Sequence, residues 1–268
     1  MTDELASYFS GEKLYGDDFT MEEIDKWFSD EAEGYANLGS KDKDHYSYGY
    51  HQLNRYHGYR FLAGRHFDNA LGIGSAYGDE FRPVAKSISK LTILDPSEAF
   101  ADTKEILGVS CSYQKPNPSG DMSFDSSYYD LIVSLGVMHH IPNVSHVLGE
   151  CNRCLRKGGI MLLREPITSM GDWRKPRSGL TKRERGIPLH LMDQIVRKAG
   201  FTVLHRSLCV FSPIPKLSNK FGVAAYNNFA LTVADSILSQ AFSWNIKYHR
   251  TNYFEKVAPS SVYYVLTK

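Results

Sequence analysis

Ten residues, Asn69-Ala-Leu-Gly-Ile-Gly-Ser-Ala-Tyr-Gly78, constrain the fold more than any other stretch of the chain. A short apolar strand pattern runs directly into a turn punctuated by glycine. A helix is expected next, with Asp79 and Glu80 near its start. Glycines at a strand-to-helix turn let backbone approach a ligand, because no Cβ stands in the way. The spacing is not that of a dinucleotide loop: Gly72 and Gly74 are followed by Ser75, Ala76 and Tyr77, so the third glycine of G-x-G-x-x-G is missing. No Lys-Ser/Thr pair follows the glycines, which excludes a Walker loop. By itself the turn is also compatible with a tight bend that binds nothing.

The next apolar run adds weight. Lys90-Leu-Thr-Ile-Leu94 reads as a second buried strand and ends in Asp95-Pro96. An acidic residue about 20 positions beyond the loop can accept hydrogen bonds from both ribose hydroxyls of an adenosine. Alone, Asp95 could equally cap a helix beginning near Ser97-Glu98-Ala99-Phe100. With the glycine loop upstream, the ribose role is favoured.

Four later segments share a pattern with the loop. The chain resembles a class I S-adenosylmethionine (SAM) dependent methyltransferase, of the group that includes quinone-biosynthesis methyltransferases. Leu71–Gly78 resembles the SAM loop and Leu94-Asp95 the end of the second strand. Asp121-Met122 resembles the acidic-apolar pair that contacts adenine. Tyr129-Asp-Leu-Ile-Val-Ser134 through His139-His-Ile-Pro142 resembles the fourth strand and its loop. Cys154-Leu-Arg-Lys-Gly-Gly159 leads into Ile160–Pro166, the fifth strand. The likeness covers roughly residues 69–201. Two positions depart from it: Gly72 stands where the family carries an acid that holds the methionine amino group, and Ala76 replaces its second glycine.

The resemblance implies an α/β, Rossmann-like seven-stranded sheet with the last strand antiparallel and helices on both faces. N-terminal and late helical insertions would form a lid. Residues 1–66 are expected to be an N-terminal helical cap. Residues 67–268 would be the SAM-binding core, with lid insertions at about 167–187 and 212–258. Within the core, Val147–Leu155 reads as a helix ended by Gly158-Gly159, and Pro188–Ala199 as another. Phe201–Phe211 and Ser261–Leu266 read as the last two strands. Val223, Tyr226, Ala230, Val233, Ile237, Ala241 and Trp244 recur at helical steps, an amphipathic helix whose stripe is expected to pack inward.

Ligands of open α/β sheets bind outside the carboxyl ends of the strands. That rule and the resemblance together give the candidate cofactor residues Gly72, Gly74, Ser75, Ala76, Asp95, Pro96, Asp121, Met122, Leu135 and Gly136. His139, His140 and Glu165 are the candidate catalytic residues, because a histidine suits proton removal from an acceptor. His190 is a weaker acceptor-side candidate. Tyr46, Tyr48, Tyr50, His51, Tyr56, His57 and Tyr59 could cover the crevice, although core packing explains most of them as well.

Composition agrees with an enzyme of small molecules. The 31 basic and 30 acidic residues leave a net charge of +1, without the basic excess of a nucleic-acid binder. The locally basic run Arg174–Arg185 reads as a solvated loop, or else as a handle for an anionic acceptor. Cys111, Cys151, Cys154 and Cys209 read as buried apolar positions, and no metal site is expected, since Cys151-x-x-Cys154 has no second pair at zinc spacing. The acidic, polar beginning and the absence of an 18-residue apolar run lead to the expectation of a cytoplasmic protein with no stable membrane span. The expected function is methyl transfer from SAM to an O, N or C nucleophile of a small-molecule acceptor. The alternatives are a non-catalytic SAM-fold protein, motivated by Gly72, and a nicotinamide oxidoreductase. The sequence is silent on oligomeric state.

Overall fold

The computed structural model describes residues 5–37, 48–97 and 102–268. Eight strands form one sheet in the order β3-β4-β2-β1-β5-β6-β8-β7. They are β1 (Phe67–Ile73), β2 (Ile88–Leu94), β3 (Glu105–Ile106), β4 (Val109–Gln114), β5 (Tyr129–Leu135), β6 (Leu155–Pro166), β7 (Thr202–Phe211) and β8 (Pro259–Thr267). Strands β4, β2, β1, β5 and β6 pair in parallel. β8 runs antiparallel between β6 and β7, as the resemblance implies. The count is eight instead of seven because residues 105–110 fold into a short antiparallel hairpin, adding β3 at the edge.

The central strands are apolar over most of their length, as a sheet covered on both faces requires. All but the last residue of β5 are buried. One face is covered by α4 (Val144–Cys154) and α5 (Leu189–Lys198), through Val147, Leu148, Cys151, Met192 and Val196. The other packs against α3 (His51–His57) and the turns after it, through Leu53, Tyr59, Leu62, Phe81 and Val84. Before these come α1 (Ala6–Ser10) and α2 (Met21–Asn37). After β7 come α6 (Pro213–Lys220) and α7 (Phe229–Ala241). The four cysteines are free and buried. No helix among the described residues is long and apolar enough to cross a membrane.

Three expectations about elements are corrected. The glycine loop is not followed by an α-helix: residues 79–81 and 85–87 form 3-10 turns, closed by bonds such as Arg82 N to Asp79 O at 3.2 Å and Ser87 N to Val84 O at 2.8 Å. Pro83 explains this, since it has no N–H for the i→i−4 ladder. Gly158-Gly159 does not end α4. The helix stops at Cys154, and the chain enters β6 at Leu155. β5 pairs Tyr129 with Leu155 but Leu131 with Ile160, so the glycines lie in a bulge where Gly158 takes φ +73°.

The third correction concerns the late amphipathic segment. It is broken by a 3-10 turn at Ala225–Asn227, and α7 buries Thr232, Asp235 and Ser239 instead of the apolar stripe. Ile237 and Trp244 are exposed at 63% and 68%. Asp235 decides the rotation. Its carboxylate accepts Val210 N at 2.9 Å, Phe211 N at 2.7 Å and the Tyr226 hydroxyl at 3.1 Å, satisfying backbone at the end of edge strand β7.

Candidate functional site

The parallel strands β1, β2 and β5 end side by side, and their following loops meet. Gly74 takes φ +61°, and a Cβ there would lie 2.6 Å from Val137, so glycine lets the β1 loop pack on the β5 loop. Gly72 serves the same loop: a Cβ would meet Phe81 at 2.8 Å. The family's acid therefore has no room at this position. Ala76 holds φ +43° in a turn fixed by neighbours. Its N–H donates to Asp95 Oδ2 at 3.2 Å, and its carbonyl accepts the Tyr113 hydroxyl at 2.5 Å. Asp95, 7% exposed, also accepts Ser97 N at 2.9 Å. The structure thus brings Gly72, Gly74, Ser75, Ala76 and Asp95 together. Pro96 beside them is exposed. The helix expected at 98–100 lies outside the described residues, as does Tyr46.

The acidic-apolar pair is less central. Asp121 is a surface residue held by Ser119 Oγ at 2.7 Å and His146 Nε2 at 2.8 Å, partners outside the glycine loop. Met122 is buried in the core beneath α4.

Sequence reading passed over Glu80 except as a helix start. It is 6% exposed behind the loop, and burial pushes its carboxyl up to about 7, against a smaller opposing effect of the Ser75 hydroxyl. Only the burial around it could have revealed this. A carboxyl that holds its proton more tightly when folded makes stability fall as pH rises from about 4.5 through 7. The full effect is about 3 kcal/mol. Glu80→Gln is expected to raise the melting temperature by roughly 5–10 °C at pH 8 and to change little at pH 4.5, measured by calorimetry in both buffers.

Beyond β5 the chain forms a second, denser centre. Glu165, fully buried at the end of β6, accepts Val137 N and Met138 N on Oε1 at 3.0 and 2.9 Å. Its Oε2 accepts His139 N at 3.2 Å and bonds His139 Nδ1 at 2.8 Å. Burial alone would raise the Glu165 carboxyl, but the His139 hydrogen bond and charge and the backbone N–H groups hold it below the ordinary value. His139 Nε2 points to Glu184 Oε1 at 3.4 Å. Burial would lower this imidazole, but hydrogen bonds and charge from Glu165 and Glu184 raise it above 6.5. His140 bonds Glu31 on Nδ1 at 2.9 Å, and burial with the neighbouring His139 charge lowers it. Glu165 therefore stands behind His139, and Glu31 behind His140.

The basic run Arg174–Arg185 divides: Arg174, Lys175 and Lys182 are exposed, as a solvated loop requires, whereas Arg183 and Arg185 turn inward. Arg185 is fully buried and donates to the carbonyls of Tyr15, Met138, His139, Ile141 and Pro142 at 2.9–3.3 Å, fixing the His-His-Ile-Pro loop. Arg183 pairs with Asp30 at 2.7 Å, Arg174 with Asp172 at 2.7 Å, and Arg177 donates to Met170 O and Thr181 O. Glu184, a residue with no distinguishing signal in the sequence, accepts a hydrogen bond from Thr181 N at 3.0 Å. Among the described residues, the set of donors placed to hold a metal is His139, His140 and Glu184, all within 4.8 Å of one another.

A cavity of about 470 Å³ opens beside the second centre, lined by Tyr48, Tyr50, Gly136, His139, Arg164 and Glu184 together with Leu135 and Glu165. Of the described members of the N-terminal aromatic cluster, Tyr48 and Tyr50 reach it. Tyr59 sits in the core, and His57 bonds Ser207 Oγ at 2.8 Å. His190 lines a different cavity, with Pro188 and Tyr248.

Residues 71–163 match the family described as methyltransferase domain, just over a third of the chain. Among solved structures, a SAM-dependent methyltransferase from Archaeoglobus fulgidus is 13% identical, with a TM-score of 0.51 over 81% of this chain and 91% of that one. Phosphoethanolamine N-methyltransferase 2 of Haemonchus contortus, solved with S-adenosyl-L-methionine, is 15% identical, with a TM-score of 0.53 over 80% of this chain and 52% of that one. The [4+2]-cyclase SpnF is 13% identical, with a TM-score of 0.51 over 78% and 77%. At these identities the likeness is one of fold: a Rossmann-like methyltransferase fold. No curated protein sequence matches the chain.

Proposed function

We propose that this chain is a SAM-dependent methyltransferase acting on an O, N or C nucleophile of a small molecule held in the cavity beyond β5. The observation that carries this reading is the meeting of three loops at the carboxyl ends of β1, β2 and β5. They set a glycine turn, a buried carboxylate and His139 at the same end of the sheet, where the β1 loop packs on the β5 loop at Gly74 and Val137. The methyltransferase-domain match over residues 71–163 covers the three loops, and Glu165 follows just beyond it. Residues Gly72 to Ala76 and Asp95 would hold the nucleoside, with Leu135 and Gly136 along the methionine part. Bound SAM supplies a methyl group already activated on a sulfonium. Residues 1–66, 167–187 and 212–258 serve in this reading as cap and lid, and Tyr48 and Tyr50 belong to the wall they provide.

The chain's own work is then to orient the acceptor, exclude water and take a proton. Orientation in a closed site supplies about 7–11 kcal/mol of barrier lowering. His139 takes the proton on Nε2, while Glu165 fixes its tautomer through Nδ1, since a carboxylate at Nδ1 keeps that nitrogen the donor. Glu165 acts as a positioning residue, and His140, tied to Glu31, holds the loop. Lack of room for a side chain at Gly72 favours a second reading, a SAM-fold protein without methyl transfer; the SpnF likeness shows that this fold is found in a cyclase as well.

Calorimetric titration with SAM and S-adenosylhomocysteine separates these readings, followed by an acceptor screen with labelled SAM. Binding that Asp95→Ala weakens by roughly 10–100-fold, with Asp95→Asn intermediate and NADH inert, is expected from the loss of charge-assisted hydrogen bonds. Absence of SAM binding to the wild type would overturn the methyltransferase reading.

A further inference from the structure

Two arginines are buried among the described residues, and they are not equivalent. Arg185 spends its donors on five carbonyl groups. Arg164 is 7% exposed on β6, lines the cavity, and has no carboxylate within ion-pair distance among the described residues. Its Nη1 donates to Asn54 Oδ1 at 3.4 Å and its Nη2 to Leu135 O at 3.3 Å, both long. Its guanidinium stacks on the Tyr50 ring at 4.0 Å. A guanidinium carries five N–H donors and cannot shed its charge, so a buried one is costly unless something anionic meets it. Glu165, the next residue, does not serve: its side chain leaves β6 on the opposite face, engaged by His139. Gly136 keeps the approach open, since it offers only backbone where a Cβ would stand 3.5 Å from Arg164 Nη2.

We propose that Arg164 is an anion-recognition residue of this cavity and that a ligand carboxylate or phosphate docks on its guanidinium in a bidentate pair. The cavity is polarised along its length. Arg164 with Tyr48 and Tyr50 makes a cationic end, whereas Glu165 and Glu184 on either side of His139 make an acidic end that repels the same anion. A ligand bound this way presents its acid group to Arg164 and turns its neutral or basic part toward His139. The rule that Arg matches planar anions bidentately supplies the recognition. No basic residue of the run at 174–185 lines the cavity, which leaves this role to Arg164. Two sources carry the required chemistry: the amino-acid carboxylate of the cofactor and an acid group on the acceptor. The choice between them rests on the methyltransferase reading, whereas the anion site itself does not.

The test uses the full chain as wild type, Arg164→Gln and Arg164→Lys, with circular dichroism to check folding. Titrations are made with S-adenosylhomocysteine and with 5′-methylthioadenosine, which keeps the nucleoside but lacks the carboxylate. If Arg164 holds the cofactor, Arg164→Gln weakens the first by tenfold or more and leaves the second unchanged. If it holds the acceptor, both titrations are unchanged, and benzoate or inorganic phosphate raises the melting temperature of the wild type but not of Arg164→Gln. Arg164→Lys is expected to fall between, since it keeps the charge but not the fork. Should Arg164→Gln match the wild type with both nucleosides and both anions, the proposal is overturned. Failure of the methyltransferase reading is recognisable separately: neither nucleoside would bind the wild type, while the anion arm would still report on Arg164. Should Arg164→Gln not fold, the comparison of wild type with Arg164→Lys decides alone. Equal responses from those two would then overturn the bidentate pair.

Discussion

If His139 is the base proposed above, replacing it by Asn is expected to lower kcat for methyl transfer by about 10²–10⁴-fold, the usual contribution of a positioned general base. SAM affinity is expected to stay within about threefold, because the nucleoside end of the crevice is built by other residues. The pH profile gives the sharper readout. His139 can accept a proton only when Nε2 is unprotonated, and its neighbours Glu165 and Glu184 raise its pKa above 6.5. Activity of the wild type should therefore climb with pH through an inflection above 6.5, and the Asn variant should lose that limb. A variant that keeps both the rate and the limb would remove His139 from the chemistry.

Glu165→Ala is expected to cost about 3–5 kcal/mol of stability, the effect of stripping one partner from a buried charged pair. Three backbone N–H groups of residues 137–139 and the His139 Nδ1 lose their common acceptor. A loss of this size shifts the melting temperature by roughly 10–15 °C, readable by calorimetry. The pH dependence has a defined sign. The folded-state pKa of Glu165 lies below the ordinary carboxylate value, so its stabilisation is present above about pH 4.5 and is lost as pH falls through that lowered pKa. The gap between wild type and variant should be widest near neutral pH and shrink in acid. Glu165→Gln keeps one acceptor oxygen and should recover part of the stability but little of the kcat. That split would mark Glu165 as the residue that positions His139. A Gln variant with normal stability and normal rate would refute both halves.

Much of this protein was legible in the chain because parallel sheets are built from local signals. Leu71, Ile93, Ile132 and Leu162 sit in short apolar runs, and a strand buried on both faces has no other pattern. The glycine turn after β1 and the carboxylate after β2 could be read by spacing, since sheet register sets the loops beyond adjacent strand ends side by side. Helix α7 was read correctly as a helix and wrongly as to its inner face. A stripe of apolar residues declares a period, but the bonds from Asp235 to the end of β7 chose the face.

The site divides along the same line. His139, His140 and Glu165 could be chosen from sequence because they follow strand ends. Their roles could not, because a histidine's task depends on which carboxylate meets which nitrogen, and Glu31 and Glu184 arrive from more than 40 residues away in the chain. Arg164 ends an apolar strand run and Arg185 closes a basic loop, and neither setting says what the guanidinium will meet. Only the tertiary structure separates the arginine saturated by carbonyl groups from the one left facing a cavity. Sequence by itself determined strands β1, β2, β5, β6, β7 and β8 and their order of appearance, because those follow from hydrophobic period and turn chemistry, whereas the short β3 and the more polar β4 carried no such signal. The partners of each buried charge were decided by the fold alone, since desolvation makes a charged group depend on whatever distant segment is brought within hydrogen-bond reach.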